Sequence, residues 1–354
     1  MRLTKIISAV LALLLTLSLT ACGNSQPPPA TNTTAQAANN TSVDQSASSA
    51  DVAPDITKTI RIGFPGSSGD TPSDLLGIAK FSGILDEELA KVGAKAELIG
   101  FVGAGPAVNE AFVGESIDLA TYNDFPAILL KSKGIDTKVV AINNRALTGR
   151  ILVQKDSSIQ SLSDLIGRKV GYMRGTGYQK QLWFAIESIG HTVDDIDAIS
   201  FNSITEMEAA LFAGDVDAIT DTAMSTKVLE QARIISDTND NPGWSGPWLS
   251  AVRSGYLKEN RELVVAYVKA LIKSREYAVT HKQEVVEYFA AAGNDPGQAE
   301  LIYTDPATFP VEINQEAVDS ITSSKEFLQS QGFLTADVDV DAWVDKSIHE
   351  DAIK

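Results

Sequence analysis

The stretch Lys169–Ile189 has the sequence KVGYMRGTGYQKQLWFAIESI. Val170–Met173 is typical of a buried strand and 174–177 of a tight glycine turn, and the apolar residues that follow recur at helical spacing. A strand, turn and helix in this order leave the first backbone N–H groups of the helix unpaired, where they can bind an anion. Because an ordinary β–α connection would look the same, the functional interpretation depends on whether the unit recurs.

A similar order of residues occurs about 100 positions earlier in the chain. Ile62–Phe64 resembles Val170–Tyr172, and Ile99–Phe101 resembles Ile199–Phe201. Strands that alternate with helices predict doubly wound sheets. The duplication therefore predicts an α/β fold of two lobes, each a doubly wound mixed sheet flanked by helices, with a ligand cleft between them. Chance similarity between α/β units is the alternative.

The first 22 residues have the features of an export signal: a basic start, an apolar run and small residues before a cleavage point. Leu19–Cys22 (LTAC) resembles a bacterial lipobox, so we expect cleavage before Cys22 and attachment of lipid to it. The alternative is an ordinary secretory signal with an incidental cysteine. Cys22 is the only cysteine in the sequence, so we expect neither disulfides nor thiol chemistry in the mature protein.

Residues 23–57 contain few large apolar side chains and are expected to form a disordered tether. The remaining roughly 300 residues exceed the usual size of one core, which favours two lobes. We assign 58–149 and 249–354 to lobe 1 and 150–248 to lobe 2. The C-terminal helices are expected to pack on lobe 1, and two chain crossings, near Thr148 and near Ile234, would form the hinge.

The net charge of −17 argues against nucleic acid as a partner. The sequence contains three histidines, His191, His281 and His349, which are scattered and do not suggest a catalytic set. Since nucleophile and phosphate-loop motifs are also missing from the sequence, we expect a protein that is not an enzyme, has no cofactor and binds no metal.

Several segments resemble the solute-binding proteins of ABC importers, most closely the aliphatic sulfonate, taurine and nitrate group. They are Tyr122–Pro126 (YNDFP), Val153–Ser157 (VQKDS) and Ser161–Val170 (SLSDLIGRKV), within a similarity that spans about residues 58–350. The resemblance implies a lipid-anchored, monomeric protein of the type II periplasmic-binding-protein fold on the extracytoplasmic face of the membrane. It would close on a small anionic solute and dock on a membrane permease.

The candidate ligand-binding residues lie in the turns that follow the predicted strands. Hydroxyl groups, helix N-terminal amides and one arginine suit a sulfonate or nitrate. Some of these residues have an alternative role as helix caps, and Thr205 with Glu208 fits a capping box. The candidates are Ser67, Ser68, Gly105, Asn123 and Asp124 in lobe 1, Arg174, Thr176, Gly177, Tyr178, Asp221 and Thr222 in lobe 2, and Trp248 near the second crossing.

One segment departs from the sulfonate-binding pattern. Sulfonate-binding members often have an aromatic residue, Asp and Pro where this chain has Thr220–Met224 (TDTAM). The solute could therefore be a neutral or cationic heterocycle, such as a thiamine pyrimidine precursor. A ligand sensor or an enzyme on the same fold is the other alternative.

Overall fold

The structure is a computed structural model that describes residues 56–354 except Ser67, Ser68 and Leu147. The predicted export signal with Cys22, and all but the last two residues of the predicted tether, lie outside the described residues. So do the candidate ligand-binding residues Ser67 and Ser68.

The strands of the described residues form two five-stranded sheets. In chain order they are β1 (Lys58–Pro65), β2 (Ala94–Phe101), β3 (Leu119–Asn123), β4 (Thr137–Asn144), β5 (Arg150–Gln154), β6 (Lys169–Met173), β7 (Asp197–Phe201), β8 (Ala218–Asp221), β9 (Ala232–Asp237) and β10 (Trp248–Arg253).

The two sheets have the same topology. The first has the order β2-β1-β3-β10-β4 and the second β7-β6-β8-β5-β9, so β1 to β4 correspond to β6 to β9. Strands β1 to β3 are parallel, as are β6 to β8, whereas β10 and β5 run antiparallel to their neighbours. Gly63 pairs with Ile99 and Gly171 with Ile199, as the duplication requires. The predicted fold of two mixed α/β sheets is confirmed.

Helices flank both sheets. They are α1 (Leu75–Phe81), α2 (Ile84–Ala90), α3 (Ala104–Val113), α4 (Asp124–Ser132), α5 (Gly177–Glu187), α6 (Ile204–Ala213), α7 (Thr226–Gln231), α8 (Ser254–Glu259), α9 (Arg261–Thr280), α10 (Lys282–Ala291), α11 (Pro296–Tyr303), α12 (Gln315–Ser330), α13 (Val340–Trp343) and α14 (Ser347–Ala352). Within the described residues, no helix has the length and apolar character needed to cross a membrane.

The structure corrects the predicted cap of helix α6. Helix α6 is capped by Ser203, whose hydroxyl accepts a hydrogen bond from the Glu206 amide, so Thr205 and Glu208 do not form a capping box. Helix α3 begins at Ala104, and Pro106 is its third residue. Ala104 takes a positive φ of 51°, which a sequence pattern does not reveal in a residue other than glycine.

The C-terminal helix α12 contacts both halves of the molecule. The Phe327 ring lies 6.2 Å from the ring of Phe125 in α4 and 5.1 Å from that of Phe184 in α5. Helix α12 therefore does not pack on lobe 1 alone, as the sequence had suggested. The chain passes between the sheets after β4 and again after β9, and the lobe boundaries at 149/150 and 248/249 stay a prediction.

Candidate functional site

A cavity of about 560 Å³ lies between the two sheets, at the carboxyl ends of their parallel strands. Pro65, Asn123, Met173 and Asp221, the last residues of β1, β3, β6 and β8, all line it. In open α/β sheets this edge is where ligands bind, because the following turns leave backbone groups and side chains free to converge there. The duplication thus places two equivalent sheet edges around one cavity.

Two helix N-termini open into this cavity, one from each lobe. Ala104 and Gly105 of α3 and Thr176 and Gly177 at the start of α5 line it. Neither helix has a side-chain hydrogen bond at its N-cap, and the Thr176 hydroxyl donates to the Met173 carbonyl over 2.7 Å. The N-terminal amides, which no cap side chain accepts from, and the helix dipoles make both ends suitable for an anionic group.

The same two turns approach each other closely. A Cβ atom added to Gly175, whose φ is +74°, would lie 3.5 Å from Cγ of Pro106 in α3. Gly105 packs even more tightly within lobe 1, because a Cβ there would lie 2.3 Å from Cγ of Pro126 in α4. Gly105 therefore allows α3 to pack against α4.

Two carboxyl groups meet on the lobe 2 wall. Asp221 ends β8 and is 2% exposed, and Glu208 comes from α6. Burial raises the pKa of Asp221; burial, and then the adjacent Asp221 charge, raise that of Glu208 to about 7. Burial also raises the pKa of Tyr178 beside them. The pair can therefore hold a proton near neutral pH, and it then carries one negative charge instead of two.

Arg150 fixes the turn that carries Asp221. This arginine begins β5, is 2% exposed, and its Nε donates to Oδ2 of Asp237 over 2.7 Å. Its Nη1 donates to the backbone carbonyls of Thr222 and Ala223 at 2.9 and 3.2 Å. Ala223 is held at a positive φ of 51°, a strained conformation that persists only where surrounding contacts enforce it.

Asn123 and Trp248 lie on strands of the first sheet, β3 and β10, and their side chains form hydrogen bonds within the protein. The Asn123 side chain caps α4 by accepting from the Phe125 amide, and its Nδ2 donates to the Gly246 carbonyl over 3.1 Å. Trp248 Nε1 donates to Oγ1 of Thr121 over 2.8 Å, which leaves the indole ring on the cavity surface. Asn123 thus shapes the wall, and Trp248 supplies an apolar face.

The structure brings most of the sequence-predicted residues together. Eight of them line the cavity, whereas Arg174 and Asp124 do not. Asp124 is completely buried behind the wall, where the Lys180 ammonium also lies. Those that line the cavity are Gly105, Asn123, Thr176, Gly177, Tyr178, Asp221, Thr222 and Trp248.

Arg174 is exposed at the turn after β6 and is not part of the cavity wall. Successive side chains at the end of a strand point to opposite sides. Met173 lines the cavity, so its neighbour Arg174 is placed away from it. Among the described residues, the charged side chains that line the cavity are Asp70, Glu208, Asp221 and Lys227.

Sequence reasoning missed Glu208 and Lys227. The duplication contained a usable signal for Glu208, since β7 and α6 repeat β2 and α3, and the α3 turn was already a candidate. Lys227 lies in the short helix α7, and no sequence motif near this helix indicates a ligand-binding residue. Within the described part of the chain, none of the histidines lines the cavity, and no group of His, Cys, Asp and Glu side chains is arranged to hold a metal.

Comparison with known proteins identifies a family. The family model described as NMT1/THI5 like matches residues 104–285. A Bacillus subtilis (strain 168) protein named for binding aliphatic sulfonates is 25% identical over 236 residues, which cover 66% of this chain and 69% of that protein.

Solved structures share the fold. The alkanesulfonate-binding protein SsuA from Xanthomonas axonopodis pv. citri, bound to MOPS, matches with a TM-score of 0.69 at 20% identity, covering 81% of this chain and 98% of that chain. The desulfurization enzyme DSZB matches with a TM-score of 0.63 at 18% identity, covering 84% and 99%. The fold therefore occurs in both binding proteins and an enzyme.

Proposed function

Because the chain belongs to the NMT1/THI5-like family, we propose that it is the solute-binding component of an ABC importer. It holds a small organic solute between its two lobes and delivers it to a membrane permease. The observation that carries this proposal is the cavity of about 560 Å³ to which the equivalent strand ends of both sheets contribute. A site assembled from two lobes can respond to its ligand by a change in their relative position.

An organic sulfonate is the proposed solute. The α3 and α5 N-termini, which reach the cavity from opposite lobes, support this choice because amides and helix dipoles there suit a tetrahedral oxyanion. The name of the Bacillus subtilis relative and that of the SsuA structure point to the same class of solute. Arg174 has no part in this proposal, since it lies outside the cavity wall.

The sulfonate proposal is tested by calorimetric titration with short alkanesulfonates. Gly177 is the first residue of α5, a position that accepts proline, and Gly177→Pro removes one amide donor. Gly177→Ala is the matched control, because it adds a Cβ and keeps the amide. We expect Gly177→Pro to weaken binding about tenfold or more, as for the loss of a hydrogen bond to a charged group, and Gly177→Ala to have a smaller effect. If no alkanesulfonate binds the unaltered protein, the sulfonate assignment is wrong.

Binding without turnover is part of the same proposal. The DSZB match shows that the fold alone does not decide between binding and catalysis. The histidines give no support to a catalytic site: His191 pairs with Asp195 and the His281 ring stacks on Tyr277, both outside the cavity. Mass spectrometry of a sulfonate after long incubation should recover it unchanged, whereas a desulfonated product would show an enzyme.

The proposed cellular setting is the extracytoplasmic face of the membrane, where a monomer would be anchored by lipid on Cys22. The LTAC sequence at Leu19–Cys22 and the apolar run before it support this. Cys22→Ala should abolish incorporation of labelled fatty acid and block normal processing of the precursor. Unchanged labelling and processing of the variant would rule out the lipid anchor.

A further inference from the structure

The Trp248 indole is held on the cavity wall through its ring nitrogen. Trp248 begins β10, pairs with Asn123 of β3 and lines the cavity. Thr121 lies two residues before Asn123 in β3, and therefore on the same face of the sheet. Trp248 Nε1 donates to Oγ1 of Thr121 over 2.8 Å. Because an indole N–H can only donate, this bond exists only while the Thr121 oxygen offers it a lone pair.

Asp74 determines the direction of the Thr121 hydroxyl. Thr121 Oγ1 donates to Oδ2 of Asp74, and the two residues are only 0% and 1% exposed. A hydroxyl has one hydrogen and two lone pairs, so the hydrogen that goes to Asp74 leaves the lone pairs for Trp248. The three side chains therefore form one directed hydrogen-bond chain, from the indole through the hydroxyl to the carboxylate.

Helix capping accounts for only one oxygen of Asp74. This residue is the N-cap of α1, and its Oδ1 accepts from the Leu76 amide over 2.9 Å. Asparagine caps a helix as well as aspartate does, so the cap does not require a carboxylate. A carboxylate is also more costly to bury than an amide. The second oxygen, which accepts from Thr121, is thus the part of Asp74 that capping leaves unexplained.

We propose that Asp74 is a positioning residue of the cavity: through Thr121, it fixes the Trp248 indole as a flat apolar face for the organic part of the solute. The N-termini of α3 and α5 hold the charged group, and the Trp248 face discriminates between the organic groups attached to it. This inference rests on the proposed function and adds to it a determinant of specificity that does not touch the solute.

The hydrogen-bond chain depends on the charge of Asp74. Burial raises the pKa of Asp74 to about 6, and hydrogen bonds, above all that from Thr121, oppose this rise. Below this pKa the carboxyl has a hydrogen of its own, which it can donate to the Thr121 oxygen in competition with Trp248. Within the described residues, the titratable groups that interact with the Asp74 charge are Tyr267 and Tyr303. Burial raises the pKa of both, so neither titrates near pH 6.

The indole N–H signal of Trp248 in a proton–nitrogen NMR spectrum tests the chain without a ligand. The sequence has four tryptophans, so Trp248→Phe assigns the signal. We expect the signal to shift with a midpoint near pH 6. Asp74→Asn keeps an oxygen for the cap of α1 and should remove this titration. Asp124→Asn is the matched control and should keep it, because burial also raises the pKa of Asp124 to about 6.

Two substitutions of Thr121 test the middle of the chain. Thr121→Val removes the hydroxyl, so it should displace the indole signal and end its response to Asp74. Thr121→Ser keeps a hydroxyl and should restore both. A signal that titrates in Asp74→Asn as it does in the unaltered protein, or that Thr121→Val leaves in place, would overturn the proposal.

Calorimetry with butanesulfonate and methanesulfonate tests the effect on the solute. Both probes have the same charged group, but methanesulfonate has little apolar surface to place against the Trp248 ring. At about pH 8, where Asp74 is ionised, Asp74→Asn should weaken butanesulfonate about threefold to tenfold, as for the loss of one hydrogen bond, and methanesulfonate less than about twofold.

The outcomes separate this inference from the proposed function. Equal weakening of both sulfonates by Asp74→Asn would show that Asp74 does not act through the Trp248 face, and would overturn the inference while sulfonate binding stands. If neither sulfonate binds the unaltered protein while the indole signal behaves as expected, the sulfonate assignment fails and the positioning of Trp248 by Asp74 stands.

Discussion

Arg150 Nη2 donates a 2.6 Å hydrogen bond to Oε1 of Gln298, and this contact joins β5 of the second sheet to the C-terminal helix α11. The same guanidinium bonds Asp237 and the carbonyls of Thr222 and Ala223. One buried cation thus connects the C-terminal helices to the turn that shapes the Asp221 side of the cavity.

Arg150→Ala should lower the free energy of unfolding by about 3 to 5 kcal/mol, because it leaves Asp237 and two carbonyls without their donor. Arg150→Lys should recover little of this, since an ammonium cannot reproduce the fixed fork of guanidinium donors. Gln298→Ala, which removes only the bond to α11, should cost about 1.5 to 3 kcal/mol. Denaturant unfolding measures all three, and an Arg150→Ala variant as stable as the unaltered protein would contradict this role.

The unliganded protein should be more stable near pH 5 than near pH 7.5. Burial raises the pKa of Asp74 and of Asp124 to about 6, and burial with the Asp221 charge raises that of Glu208 to about 7. Their pKa values in the unfolded chain are about 4, so between about pH 4 and pH 7 the folded state binds more protons. Stability must then fall as pH rises through this window. Increasing negative charge on a protein of net charge −17 acts in the same direction.

Melting temperatures across this pH range check the sign. Glu208→Gln should reduce the difference between pH 5 and pH 7.5, because its side chain no longer titrates. At lower pH the trend should reverse: despite its burial, hydrogen bonds from Arg61 and Arg253 lower the pKa of Asp118, and this stabilising carboxylate is then protonated. A melting temperature that rises steadily from pH 5 to pH 7.5 would show that the buried carboxyls do not control the profile.

Tryptophan fluorescence should report ligand binding through Trp248. This indole lines the cavity and is held by its 2.8 Å bond to Thr121, whereas Trp183, Trp244 and Trp343 do not line it. We expect a ligand-dependent change in emission that Trp248→Phe removes. Trp244→Phe is the control and should keep the change, so a signal lost in that variant would place the ligand elsewhere.

The extent of prediction from sequence differs between the fold and the site. Gly63 and Gly171 occupy equivalent positions in equivalent strands. The sequence revealed this repeat because glycines and apolar runs form local patterns, and these patterns predict the strands of both sheets. The sequence also located the turns that reach the cavity. Whether a side chain near a strand end enters the cavity depends on the direction in which the chain leaves the strand. For this reason Met173 lines the cavity and Arg174 does not.

Other features depend on contacts that are distant in sequence. Glu208 and Asp221 lie on different elements, and their proximity depends on how α6 packs against the second sheet. Arg150 and Gln298 are 148 residues apart, and no pattern near either residue predicts their bond. The pairing of Glu208 with Asp221 was therefore not predicted from motifs, although the turns that carry Gly105, Asn123, Thr176 and Asp221 were identified.

The last prediction concerns Lys180 and Asp124, which are both buried behind the cavity wall. Lys180 is 1% exposed and its Nζ donates to the Ser324 hydroxyl over 3.0 Å. Burial raises the pKa of Asp124 to about 6, and the Lys180 charge opposes this rise. Lys180→Met should therefore raise the pKa of Asp124 further and lower the free energy of unfolding by about 3 to 5 kcal/mol near pH 8, where an unpaired carboxylate is left buried.

Near pH 5.5 the cost should be smaller, because Asp124 can take up a proton and become neutral. Adding Asp124→Asn to Lys180→Met removes the charge at every pH, so the double variant should regain stability near pH 8 and lose most of the pH dependence. Denaturant unfolding of the two single variants and the double variant at both pH values measures the coupling. Additive effects of the two substitutions near pH 8 would mean that Lys180 does not compensate the charge of Asp124.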